Sequence, residues 1–154
     1  MRIAFRVLFI SLLAGSLSGS DSRLDRETLK GISQLYVIVS VQTKDGLNGS
    51  QIEMDLDRRL RAAGIKIVGS DPHLPCLFVS ANVLRHKDGS WIYEVSISLN
   101  QAVTIVANNG NSMASTWSTS MLAFASNSDA PGFVRSDIET LTEKFIAAYL
   151  SVNR

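Results

Sequence analysis

The segment from Trp91 to Asn100 constrains the fold more than any other part of the chain. Trp91, Tyr93, Val95, Ile97 and Leu99 form one phase, and Glu94, Ser96, Ser98 and Asn100 form the other. Alternation with period two puts apolar side chains on one side of a strand and polar ones on the other. It predicts an antiparallel sheet with one face on a core and one toward water. Gln101 interrupts the apolar phase, which predicts a bend before Val103 and Ile105 resume it.

The neighbouring segments fit the same plan. Leu35, Val37, Val39 and Val41 share a phase in a β-branched run ending at Gln42, which predicts a first, mostly buried strand. Ile65 to Val68 predicts a short strand, and Leu77, Val79, Ala81 and Val83 alternate with Phe78, Ser80 and Asn82 in another. Asp88-Gly89 turns the chain into the Trp91 strand, and Asn109-Gly110 marks a hairpin into a strand over Met113 to Leu122, with Met113, Trp117 and Met121 in phase.

Two segments carry helical spacing instead. Ser50 and Glu53 read as a capping box, followed by Ile52, Leu56, Leu60 and Ala63, with Gly64 as the stop. Asp55 with Arg59 and Asp57 with Arg61 lie one turn apart on the wet side. After a polar loop over Asn127 to Gly132, Ile138, Leu141, Phe145, Ala148 and Val152 mark a final amphipathic helix. The expected architecture is α+β, in the order β-α-β-β-β-β-α, with both helices on one face of a mostly antiparallel sheet.

Arg2 and Arg6 precede an apolar run from Val7 to Ala14 and a small polar stretch from Gly15 to Ser20. This is the layout of a cleavable secretory signal, and the run is too short to span a bilayer, which takes about 20 residues. The expected organisation is a signal peptide over 1–20 and a single α+β domain over 21–154, with a periplasmic or secreted location and no membrane span after cleavage. Removing Arg2 and Arg6 from the 15 basic residues leaves 13 against 14 acidic ones. That balance gives no electrostatic footprint for nucleic acid. The single cysteine, Cys76, cannot form an internal disulfide and is expected to be buried at a strand start, pointing into the core.

The pieces Leu29 to Ser40, Gly46-Leu47, Asp57 to Val68, Trp91 to Val103, Ser115 to Trp117 and Phe145 to Asn153, in that order, resemble a group of short exported bacterial proteins of unknown function. Their shared motifs are packing and turn motifs, so the resemblance implies a fold and transfers no catalytic residue. In element order the chain also looks like periplasmic modules of the curli secretion channel, the N-terminal domain of the Tol propeller protein and the lipoprotein activators of peptidoglycan synthases. Those modules bind other envelope proteins, which implies the same kind of partner here.

Chemical motifs are sparse. His73, Cys76 and His86 are the only thiol or imidazole ligands, without the paired spacings of a zinc site, and no metal or cofactor is expected. A thiol-dependent hydrolase using Cys76 and a histidine would need these residues to meet in space. A small-ligand module with a pocket between the last helix and the sheet is a further alternative. Trp91, Tyr93 and Trp117 lie in core phases and read as packing residues. Asn48-Gly49-Ser50 matches a glycosylation acceptor, but Ser50 is accounted for as a cap.

The outward phases are the more informative feature. Ser80, Asn82, Ser96, Ser98, Asn100, Thr116, Ser118 and Ser120 are small, hydrogen-bonding and uncharged, with Glu94 as the exception. Solvated sheet faces usually carry Lys and Glu, which also guard against stray pairing. The expected function is therefore a non-catalytic exported domain that docks another envelope protein, or less readily a glycan, on this face.

Overall fold

The computed structural model describes residues 21–42, 46–125 and 129–153. The expected signal segment 1–20 lies outside the described residues, as do the turn residues Lys44 and Asp45 and the start of the Asn127 loop. The fold is α+β. Helix α1 (Arg23–Glu27) precedes strand β1 (Tyr36–Gln42) and helix α2 (Gly49–Ala62). Strands β2 (Cys76–Arg85), β3 (Trp91–Ile105) and β4 (Gly110–Ala125) follow, and helix α3 (Ala130–Val152) closes the chain.

The four strands lie in sequence order, β1-β2-β3-β4. β1 and β2 are parallel, joined through α2, and the other two pairings are antiparallel. Ile65 to Val68, expected to be a strand, reaches the sheet only through an isolated bridge between Ile67 and Leu35. Gly64, at φ 83°, turns the chain sharply after α2. Here Leu35 N–H donates to the Lys66 carbonyl at 3.1 Å, and the Leu35 carbonyl accepts from Val68 N–H at 3.0 Å. Three-residue spacing from Ile65 to Ile67 is enough for one bridge and too little for a ladder.

The inward phases and both long helices enclose a single core. Leu77, Val79, Val95, Ile97 and Leu99 are fully buried, together with Leu60 of α2 and Val134, Leu141 and Phe145 of α3. The Phe145 ring meets the Trp117 indole edge-on, with centroids 5.3 Å apart at 64°. α2 is capped by Asn48, whose side chain accepts from Gln51 N–H at 3.3 Å, rather than by the expected Ser50–Glu53 pair. The helix starts two residues earlier than the capping-box reading placed it, so Ser50 already lies in its first turn. Asp57 and Arg61 pair as expected at 2.8 Å. Asp55 instead binds Arg58 and, at 2.9 Å, Arg135 of α3, while Arg59 reaches Glu139 at 2.7 Å. The Arg135 and Arg59 pairs join the two helices, while the Asp55–Arg58 pair stays within α2.

α1 carries no apolar periodicity and was not foreseeable from it. It is set by a capping box between Ser22 and Asp25, and the chain after it buries Leu29 and Ile32 under α3. Asn153 fastens the exit from α1, accepting from Gly31 N–H at 2.7 Å and donating to the Leu29 carbonyl at 2.8 Å. α3 is longer than its apolar stripe suggested and starts at Ala130, with Pro131 in its first turn where a missing N–H costs nothing.

Candidate functional site

With the helices on one side, the other side of the sheet is open, and the register sorts its side chains into rows across the strands. Ser40, Ser80, Ser96 and Ser120 form one row through all four strands. The Ser80 and Ser96 hydroxyls hydrogen-bond each other at 2.8 Å. The next row holds Ile38, Phe78, Ser98 and Ser118, and a row on the other side of the serines holds Asn82, Glu94 and Leu122. Beyond that, Leu84, Ile92 and Phe124 meet in an apolar row at one end of the sheet. Glu94 is the one carboxylate on these rows, and its neighbours offer no cation.

Of the eight residues expected on this face, Ser80, Asn82, Ser96, Ser98, Asn100, Ser118 and Ser120 lie on it and are brought together by the ladder. Thr116 does not join them. The register slips between Leu99 and Asn100, where Leu99 faces Trp117 and Asn100 faces Ser115, leaving Thr116 as the extra residue of a β-bulge. Its hydroxyl accepts from the Gln101 side chain at 2.6 Å, and Gln101 also donates to the Thr28 carbonyl at 3.0 Å. The bend expected at Gln101 is this bulge. It also overturns the shared phase of Met113 and Trp117: beyond the extra residue Met113 pairs with Ala102, on the open-face phase, and is half exposed.

Sequence reasoning missed the apolar end of the face. Leu84, Leu122 and Phe124 are 65%, 58% and 65% exposed, which is unusual for large apolar side chains gathered in one place. A signal was present, since Leu122 and Phe124 continue the phase of Ser118 and Ser120, and Ile92 precedes Glu94 by two. A shallow groove of about 260 Å³ runs along Leu84, Ile92 and Leu122.

Cys76 is buried, but on the open-face side, in register with Tyr36 and Asn100 rather than in the core phase. Tyr36 covers it. Burial pushes the thiol above its ordinary value, against a smaller lowering by the Tyr36 hydroxyl. His86 stands at the far end of the same strand, roughly 30 Å away at strand rise. There it pairs with Asp88 at 3.1 Å. His73 is exposed, its N–H bonded to the Asp71 carboxylate. Among the described residues no three His, Cys, Asp or Glu side chains gather as a metal group would require. The cleft between α2 and α3, lined by Leu56, Arg59 and Ile138, encloses only about 10 Å³, room for one water. No described helix is long and apolar enough to cross a membrane.

No protein-family profile matches the sequence, and no curated protein does. Among solved structures, a single-substitution variant of the PelC dodecamer from Paraburkholderia phytofirmans is similar at 20% identity, with a TM-score of 0.45 over 76% of this chain and 86% of that one. A minor lipoprotein from Acinetobacter baumannii is similar at 12% identity, with a TM-score of 0.37 over 77% of this chain and 90% of that one. The rare lipoprotein B of Shewanella oneidensis follows at 14% identity and a TM-score of 0.27, over 76% and 89%. At such identities and scores these likenesses carry no argument about function, which must be read from this chain's own residues.

Proposed function

We propose that this chain is a non-catalytic protein-docking module of the bacterial cell envelope, exported by its N-terminal segment, and that the open sheet face is its docking surface. The observation that carries the reading is the composition of that face. A nearly uncharged field of Ser and Asn borders a cluster of exposed Leu, Ile and Phe, all on rigid strands. Short hydroxyl side chains lose little rotamer freedom when a partner orders them, and the apolar row supplies the area that drives association. An apolar centre beside small polar groups is also the usual build of a protein interface.

The thiol-hydrolase alternative has little support from the geometry. The Cys76 thiol is covered by Tyr36 and held in its protonated form, and the strand itself keeps His86 at a distance. The ligand-pocket alternative needs space between α3 and the sheet, where Ile138, Leu141 and Phe145 fill the core.

The test is a photo-cross-linking residue placed at Ser98 in the native envelope, with one at Glu53 on α2 as the control. The reading expects a discrete cross-linked product from Ser98 and none from Glu53, and loss of that product in a variant that also carries Ser118→Arg. Equal yields from both positions would remove the face as the docking surface.

A further inference from the structure

We infer that the free edge of β4, over Ser118 to Ala125, pairs antiparallel with the same edge of a second copy of this chain, joining two four-stranded sheets into one.

An open sheet has two edges, and a folded protein ordinarily guards both with charge, proline or a covering segment. The β1 edge is guarded at its start, where Leu35 exchanges bonds with the backbone of Lys66 and Val68. The β4 edge is not. From Val95 to Ser128 the sequence contains no Asp, Glu, Lys, Arg, His or Pro. α1 touches the strand near Thr116, whose carbonyl accepts from the Thr28 hydroxyl at 3.0 Å. Beyond it, among the described residues, no group outside β3 hydrogen-bonds to Ser118–Ala125. Every second N–H and C=O in that stretch therefore points outward, unpaired.

The occupant follows from charge and symmetry. Next to a two-fold axis side chains meet their own copies, so an ionised residue there would face a like charge. A strand free of ionisable groups avoids that penalty, and antiparallel pairing is the arrangement by which one strand matches itself. The two-fold axis would stand perpendicular to the sheet, so both open faces would lie on the same side. Leu122 and Phe124 of the two copies would then cover one another across the seam. Because the pairing uses the same edge on both copies, it is used up once formed and closes at a dimer instead of growing into a filament.

Sedimentation velocity of the protein produced from its full-length gene, over a dilution series, reads the association. The inference expects a dimer, and concentration-dependent protection of β4 amides against hydrogen exchange. Leu122→Lys and Leu122→Glu, both at an exposed position, should each weaken self-association by about a hundredfold or more while melting as the parent does. Mixed one to one, they should restore pairing. A parent protein that stays monomeric throughout, or variants that dimerise as tightly as the parent, would overturn the inference. So would a dimer whose protected amides lie outside β4. Because only self-association is read, the outcome is independent of whether the sheet face docks another protein.

Discussion

The Tyr93 hydroxyl donates to the Asp137 carboxylate at 2.7 Å, fastening the inward side of β3 to the first half of α3. Burial, and then the neighbouring carboxylate, holds this phenol well above its ordinary value. Tyr93→Phe should cost about 1 to 3 kcal/mol, because the half-buried Asp137 carboxylate loses a charge-assisted partner. The same group sets an alkaline limit. Its protonated form is favoured in the folded state, so its contribution is complete below the unfolded phenol's pKa of about 10 and is lost as pH rises above that. Urea melts between neutral pH and the alkaline range, compared with Tyr93→Phe, would show the parent losing the steeper share. Parallel curves would refute this.

Leu56 and Phe145 sit mid-stripe on α2 and α3 at 2% and 0% exposure. Leu56→Ala and Phe145→Ala should each destabilise the fold by about 2 to 5 kcal/mol, the transfer and cavity cost of truncating a filled core. Phe145 should lie at the upper end, because it also loses the edge-on contact with Trp117. Denaturant midpoints decide it, and a loss below about half a kcal/mol at either position would contradict the core described here.

These helices and the strand phases were legible in the sequence because each follows one period over many residues. What escaped has physical causes as well. The Thr116 bulge adds one residue to one strand, which flips every later side chain and leaves no mark in composition, so Met113 reads in phase with Trp117 when it is not. α1 is held by a short cap and by Asn153, a contact across most of the chain's length. Cys76 was correctly expected to be buried, but it shares the outward phase of Phe78 and Ser80, so its burial comes from Tyr36 on another strand and not from the core. On the open face the small polar residues were visible one by one. The apolar row is made by three strands in register and exists only once they are paired.

The cover over Cys76 predicts its chemistry. In the folded protein the thiol should react with alkylating reagents far more slowly than in urea, since it is both enclosed and held protonated. Tyr36→Ala should open it and speed modification, with Tyr36→Phe intermediate. Mass spectrometry of time points gives the rates, and a thiol equally fast in the folded and unfolded states would bring the Cys76 enzyme reading forward again.

Asp88, in the turn between β2 and β3, accepts from the Ser90 hydroxyl and N–H and from His86. These bonds hold its carboxyl down at about 2. The ionised form is favoured by the folded turn, so the stabilisation is present above the ordinary carboxylate pKa of about 3.9 and fades as pH falls through the folded value. A side-chain NMR titration should find Asp88 among the lowest carboxylates, and Ser90→Ala should move it upward. An unchanged midpoint in Ser90→Ala would assign the shift to another cause.

Gln101 stands where the sheet narrows. β2 ends its pairing with β3 at Asn100, opposite Cys76, so residues beyond it continue as a two-stranded arm of β3 and β4 alone. Such a ribbon is marginal by itself. The Gln101 amide joins its base to the body of the domain through two bonds, one to the Thr28 carbonyl and one to the Thr116 hydroxyl inside the bulge. Gln101→Ala removes both and leaves their acceptors to find water. The loss should be local: hydrogen exchange should quicken from Ala102 to Ser115, while amides of β2 and of α3 keep their parent rates. The global melting transition should shift only slightly, because Leu99 and Trp117, the nearest core residues, stay buried. Gln101→Glu separates hydrogen bonding from size, since it keeps the length but replaces the donating amide with an acceptor carboxylate, and it should loosen the arm as much as alanine does. An arm that exchanges at the parent rate in both variants would mean that the bulge and the ladder hold it without Gln101.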